Sequence, residues 1–173
     1  VRPPQVVFTP GIDAFSIKNR DLSEEEKNER LDKYDIPRDK PLVVQISRFD
    51  PWKDPRGVIR AFRKARKEVD ATLVLLGNMA PDDPEGQEVY QSLLDEREER
   101  IIILSKEDTA LVNALQCKAH VVVQKSLKEG FGLTVTEAMW KRTPVIGTRV
   151  GGIPLQIRDG ENGFLVEDED ECA

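Results

Sequence analysis

The chain has 173 residues, enough for one domain with a sizeable core. Charged residues make up 34% and aromatics 6%; the net charge of −6 and pI near 5.0 argue against nucleic acid as a general partner, since duplex binding needs a basic face. Two cysteines, Cys117 and Cys172, lack Cys-x-x-Cys spacing, and no apolar run approaches membrane-spanning length, so the expectations are no disulfide framework, no zinc site, no membrane partner and a reducing, cytoplasmic setting.

Residues 1–40 read as a connector plus one acidic helix, with Leu22-Ser23-Glu24-Glu25-Glu26 marking its start. Residues 41–173 read as the domain proper. The chain opens on Val1-Arg2-Pro3-Pro4 without methionine and closes on Asp168-Glu169-Asp170-Glu171-Cys172-Ala173, which resembles the start of a helix; the expectation is a fragment of a longer protein. The abundance of Glu, Lys and Arg is compatible with a thermophilic source.

Beyond Pro41, strands and helices alternate. Leu42–Ile46 is the first strand. A helix spans 55–68, with Asp54 as N-cap, Pro55 at its first position, and Val58, Ile59, Phe62 and Val69 on an apolar face. Thr72–Leu76 is the second strand and ends at Gly77-Asn78. A loop from Pro81 to Pro84 leads into a charged helix over 85–98. Ile101–Leu104 is the third strand, Asp108 caps a helix through Leu115, and Val121–Val123 is the fourth strand. His120 abuts it and reads as a strand-edge residue, not a base. Pro144–Gly147 and Gly163–Val166 are the fifth and sixth strands, and Gly160-Glu161-Asn162-Gly163 is a turn. These strands are continuously apolar, as strands covered on both faces are. The reading is an α/β doubly wound parallel sheet, Rossmann-like, in the order 3-2-1-4-5-6. Ligands in such sheets sit at the carboxyl ends of the strands, near the switch point between strands 1 and 4.

Those two strands lead into the motifs. After strand 4 comes Lys125-Ser126-Leu127-Lys128-Glu129-Gly130-Phe131-Gly132-Leu133-Thr134-Val135-Thr136-Glu137. A strand, a glycine-rich turn and a helix N-terminus make an anion site, because free backbone N–H groups and the helix dipole both favour phosphate. Glu129 precedes the helix and Glu137 lies about one turn inside it. Carboxylates accept hydrogen bonds from sugar hydroxyls, so two of them flanking a phosphate cradle suggest a sugar nucleotide. The competing view makes Glu129 a solvated loop residue and Glu137 an acid stabilising the helix dipole; the adjacent Gly-Phe-Gly turn and basic residues weigh against it. After strand 1, Arg48 and Lys53 are placed to converge on one diphosphate, the Arg as a planar fork and the Lys as a point charge. After strand 5, Gly151-Gly152 permits close backbone approach and is expected under the same ligand. Strand 1 is not followed by Gly-x-Gly-x-x-Gly, which argues against a dinucleotide cofactor, and one histidine leaves no room for a Ser-His-Asp triad.

Together, Ser47-Arg48 with Lys53, Glu129 to Glu137 around Gly-Phe-Gly-Leu, and Gly151-Gly152-Ile153-Pro154 resemble the retaining glycosyltransferases of the GT-B fold, family 4, over nearly the whole chain as its C-terminal, donor-binding half. Thr9-Pro10-Gly11-Ile12-Asp13 resembles that family's entry into this domain. The resemblance implies that Arg48 and Lys53 hold the donor diphosphate and that Glu129 contacts the donor sugar. It implies further that Glu137 binds the ribose, that backbone from Gly130, Phe131 and Gly132 through Leu133 and Thr134 meets the phosphates, and that the base lies around Ile103 to Asp108. Many members follow Gly-Gly-x-Pro with Glu, whereas this chain has Leu155; that version is similar to the archaeal trehalose-forming branch, which moves glucose from a nucleoside diphosphate glucose to glucose. The implied chemistry is transfer with retention, no protein nucleophile, no metal and no cofactor, the nucleoside diphosphate sugar being a substrate. The sugar acceptor belongs mostly to an N-terminal domain outside this chain, and a homodimer is among the expected partners. Sucrose- or glycogen-type synthesis on the same fold is the first alternative; a nucleotide-binding module without activity of its own is the second.

Overall fold

The computed structural model describes every residue except 1, 2, 4, 5, 7 and 79–81. Val1, Arg2 and Pro4 of the opening, and Pro81 at the head of the expected loop, lie outside the described residues. The elements are α1 (Glu24–Asp32), β1 (Leu42–Ile46), α2 (Pro55–Ala65), β2 (Thr72–Gly77), α3 (Pro84–Leu94), β3 (Ile101–Ser105), α4 (Thr109–Lys118), β4 (Val121–Gln124), α5 (Leu133–Trp140), β5 (Val145–Thr148), β6 (Gly163–Val166) and α6 (Glu169–Cys172). Two 3-10 turns, Pro51–Lys53 and Ile153–Leu155, follow β1 and β5.

The six strands form one parallel sheet in the order β3-β2-β1-β4-β5-β6, as expected. The continuous apolar runs feed two cores by simple alternation. Leu42, Val44, Val74, Leu76 and Val122 point to one face, where they meet Leu31 of α1, Leu111 and Leu115 of α4 and Val135 of α5. Leu73, Leu75, Ile101, Ile103 and Val123 point to the other, where they meet Val58, Ile59 and Phe62 of α2 and Leu93 of α3. Leu22, Leu31 and Ile36 from the first 40 residues belong to the first of these cores. Ser23 starts α1 with a reciprocal capping box to Glu26.

Three helix ends differ from expectation, the first being α4, which runs on to Lys118 instead of ending at Leu115. α2 stops at Ala65 instead of residue 68, and Val69 lies outside it, 55% exposed, so Val69 is not on the apolar face. Past Ala65 the backbone tightens into successive three-residue turns, Lys67 N to Lys64 O and Glu68 N to Ala65 O. α3 stops at Leu94 instead of residue 98; Glu98 instead bridges Ile101 at the start of β3. Among the described residues, no helix is long and apolar enough to cross a membrane.

Candidate functional site

The strand ends, not the helices, gather the chemistry. Gln45 of β1 is buried and donates through Nε2 to Lys53 O at 2.7 Å, which fixes the turn carrying Lys53. Asp54 follows in a left-handed conformation, φ 46°, and its carboxylate accepts from Gly57 N at 3.0 Å to cap α2. The same carboxylate pairs with the buried Lys125 ammonium at the end of β4. Leu127 N donates to Trp52 O at 2.7 Å, and Lys128 stacks over the Trp52 ring at 3.7 Å from its centroid. The loops after β1 and β4 are therefore one joined unit.

On that unit Glu129 is met by donors on both oxygens. Oε2 accepts from Lys53 Nζ at 2.6 Å, Gln124 Nε2 at 3.0 Å and Ser126 Oγ at 3.3 Å; Oε1 accepts from Gly130 N at 3.0 Å. Burial pushes the Glu129 carboxyl up, but the Lys53 ammonium, then the Gly130 N–H and the Gln124 amide, outweigh it and hold the pKa below its ordinary 4.5. The pair is worth most above that ordinary value, where the unfolded carboxyl is also ionised, and is lost as pH falls through the lower folded value. Acid unfolding should therefore show it. The stability gap between the wild type and Glu129→Gln, followed by urea unfolding, should narrow below about pH 4.

The turn itself is shaped by glycines. Gly132 adopts φ 83° at the N-cap of α5, and no side chain caps that helix. Ser23, Asp54, Asp83, Asp108 and Asp168 cap the other α-helices, so among the described residues α5 alone presents an uncapped helix N-terminus, at the carboxyl edge of the sheet. Gly152 N donates to Gly130 O at 2.7 Å, which seats the Gly151-Gly152 loop directly under Glu129 and Gly130. Gln156 completes the support: its Nε2 donates to Phe131 O at 2.5 Å, and its Oε1 accepts from Thr136 Oγ1 at 2.5 Å.

Arg48 lies elsewhere on the edge. Its side chain is 63% exposed, with Asp50 3.3 Å away. It lines a cleft of 310 Å³ with Lys18, Ser47, Asn78, Thr134 and the stretch from Lys106 to Thr109. Lys53 is not among the lining residues; it faces Glu129. The structure thus brings Lys53 and Glu129 together and sets Arg48 beside the expected base region. A larger depression of 610 Å³ lies at Pro144 and Gly163, at the amino ends of β5 and β6. Parallel sheets of this kind hold ligands at the opposite edge, so the smaller cleft is the candidate.

Glu137 is buried. Its Oε1 lies 2.8 Å from Lys18 Nζ, and Gln116 Nε2 reaches Oε2 at 3.4 Å. The picture of an acid open to ligand on its own helix is incomplete: Lys18 stands between Glu137 and the cleft. Lys18, Gln124, Lys125 and Gln156 are the site residues that motif spacing did not single out. Among the described residues, no group of three or more His, Cys, Asp or Glu is placed to hold a metal ion.

The family described as Glycosyl transferases group 1 matches residues 26–173. The trehalose synthase of Thermococcus litoralis is 44% identical over 96% of this chain and 42% of its own length. The sucrose-phosphate synthase of Thermosynechococcus elongatus superposes with a TM-score of 0.70 at 29% identity, over 83% of this chain and 37% of that one. Anabaena HepE, solved in complex with UDP-glucose, superposes with a TM-score of 0.70 at 23% identity over 87% of this chain and 41% of its own, a likeness of fold. The chain spans about two-fifths of the length of the trehalose synthases it matches. Its sheet is that of one half of a GT-B glycosyltransferase, and the chain belongs to the glycosyl transferases group 1 family.

Proposed function

We propose that this chain binds the donor of a retaining glucosyl transfer, in an enzyme that moves glucose from a nucleoside diphosphate glucose to glucose and so forms trehalose. The observation that carries the donor reading is the uncapped N-terminus of α5, set beside the Lys53–Glu129 pair at the carboxyl edge of the sheet. Leu133 and Thr134 N–H groups and the helix dipole meet the phosphates there. Arg48, exposed on the cleft wall, supplies a planar fork, and Lys53 a point charge shared with Glu129. Glu129 faces the sugar, Glu137 the ribose, and the stretch from Lys106 to Thr109 the base. The departing diphosphate is stabilised by these preorganised charges, and the acceptor enters on the face that it leaves. No covalent intermediate on a carboxylate is required, in contrast to retaining hydrolysis. The high identity to trehalose synthases supports glucose as acceptor.

A product assay on the full-length protein tests this. UDP-glucose and ADP-glucose are offered with glucose, a fructose phosphate and glycogen in turn. Trehalose from glucose is expected; turnover with fructose phosphate or glycogen alone replaces the reading by the sucrose- or glycogen-type alternative.

Two results are expected of the 173-residue chain itself. It should bind UDP or ADP in a calorimeter and release no glucose from the sugar nucleotide. Arg48→Ala should weaken diphosphate binding by about 1.5–3 kcal/mol, the worth of a hydrogen bond to a charged group, and make it less sensitive to salt. Binding of the bare nucleoside should be unchanged; unchanged diphosphate affinity would make Arg48 a surface cation only.

A further inference from the structure

Lys18 belongs to no motif, yet it is held more firmly than an ordinary surface lysine. Asn113 of α4 is fully buried and donates through one nitrogen to Ile17 O and Arg20 O, both at 2.9 Å, on either side of Lys18. Trp140 Nε1 donates to Asn19 O at 3.1 Å, and Lys141 Nζ to Asn19 Oδ1 at 2.9 Å. Trp140 and Glu137 both belong to α5, so the helix that carries the acid also anchors the loop that carries its partner. The Lys18 ammonium lies 2.8 Å from Glu137 Oε1; its side chain is 36% exposed and that of Glu137 only 6%. Lys18 lines the cleft, so a group arriving at Glu137 from the cleft meets Lys18 as well.

A carboxylate only accepts hydrogen bonds, whereas a sugar hydroxyl both donates and accepts. In a narrow cleft the hydroxyl's oxygen also needs a donor, or desolvation goes uncompensated. An ammonium has three N–H groups, and one of them serves Glu137. We propose that Lys18 and Glu137 act as a single reader of the ribose diol: Glu137 accepts from the hydroxyls, Lys18 donates to a hydroxyl oxygen, and the pair selects ribonucleoside over 2′-deoxyribonucleoside diphosphates. The proposal rests on the donor-site reading above and adds to it a residue and a selectivity.

Calorimetry on this chain tests it, with UDP, ADP, their 2′-deoxy forms and pyrophosphate as probes. The wild type should prefer whichever ribonucleotide it binds over the deoxy form by about tenfold, the scale of one charged hydrogen bond. Lys18→Met should lower ribonucleotide affinity by about that factor and bring the ratio close to one, with pyrophosphate binding unchanged. Lys18→Arg should keep part of the preference. If Lys18→Met loses cooperative thermal unfolding, Lys18→Gln, which retains a donor for Glu137, carries the same comparison. A wild type that binds both sugars equally overturns the diol reader and leaves the donor site standing. So does a folded Lys18→Met that keeps the full preference, or one that loses pyrophosphate to the same degree. A folded wild type that binds no nucleoside diphosphate removes the donor site itself.

Discussion

Gly151→Ala is expected to destabilise the chain by about 2–4 kcal/mol and to abolish measurable nucleotide binding even where the variant stays folded. Two effects add. Gly151 has φ 55°, a region where an alanine is strained by about 1 kcal/mol. A Cβ there would overlap the carbonyl oxygen of Glu129 and lie 2.9 Å from that of Gly130. Those are backbone atoms, so the variant must push apart the Gly151-Gly152 loop and the turn it supports. The displaced turn carries Glu129 and opens α5, and so the same overlap that lowers stability misaligns the donors. Gly160→Ala separates the two effects: Gly160 has φ 76°, but a Cβ added there would meet nothing within 4 Å, so it should show only the strain, about 1 kcal/mol. Chemical denaturation of both variants, with calorimetry on the folded fraction, makes the comparison. Equal losses in the two would mean that backbone overlap at Gly151 is relieved freely.

The sheet was legible because most strands are runs of apolar residues with little polar interruption, as burial on both faces demands. Val121, Val122 and Val123 show it in three residues, the middle one feeding one core and Val123 the other. Helix ends were less legible. Val69 has the spacing of an apolar face, but α2 ends before it, and spacing alone carries no information about where packing stops. The glycine turn before α5 was legible because its geometry is local. Its supports are not local. Gln124 and Gln156 have no motif character, and the hydrogen bonds that give them a role join segments brought together only by the fold. Lys18 is the extreme instance. Its partner Glu137 sits on the far side of the sequence, and the burial that makes the pair consequential is a property of packing between α4, α5 and the loop before α1.

Glu129→Gln and Glu137→Gln are expected to separate transfer from binding. Glu137 is buried with Lys18 at 2.8 Å, behind the Lys18 side chain that lines the cleft proposed for ribose and base. Neutralising it turns charge-assisted hydrogen bonds to ribose into neutral ones and leaves the Lys18 ammonium without its counter-ion. UDP or ADP affinity should fall by about ten- to a hundredfold, the equivalent of a charged hydrogen bond. Glu129 lies before the glycine turn, on the side proposed for the sugar, and its carboxylate is occupied by Lys53, Gln124 and the Gly130 N–H. Glu129→Gln releases the Lys53 ammonium from its partner, so the diphosphate keeps at least its original cation and nucleotide affinity should not fall. The transfer step of the full-length enzyme should nevertheless drop by about a hundredfold or more, because the lost charge acts on the glucosyl unit as positive charge develops there. Diphosphate affinity measured on this chain, together with kcat and KM measured on the full-length enzyme, gives both readings. Full transfer activity in Glu129→Gln would remove Glu129 from the reaction. Free-nucleotide affinity controlled by Glu129, with Glu137→Gln unaffected, would exchange the two assignments.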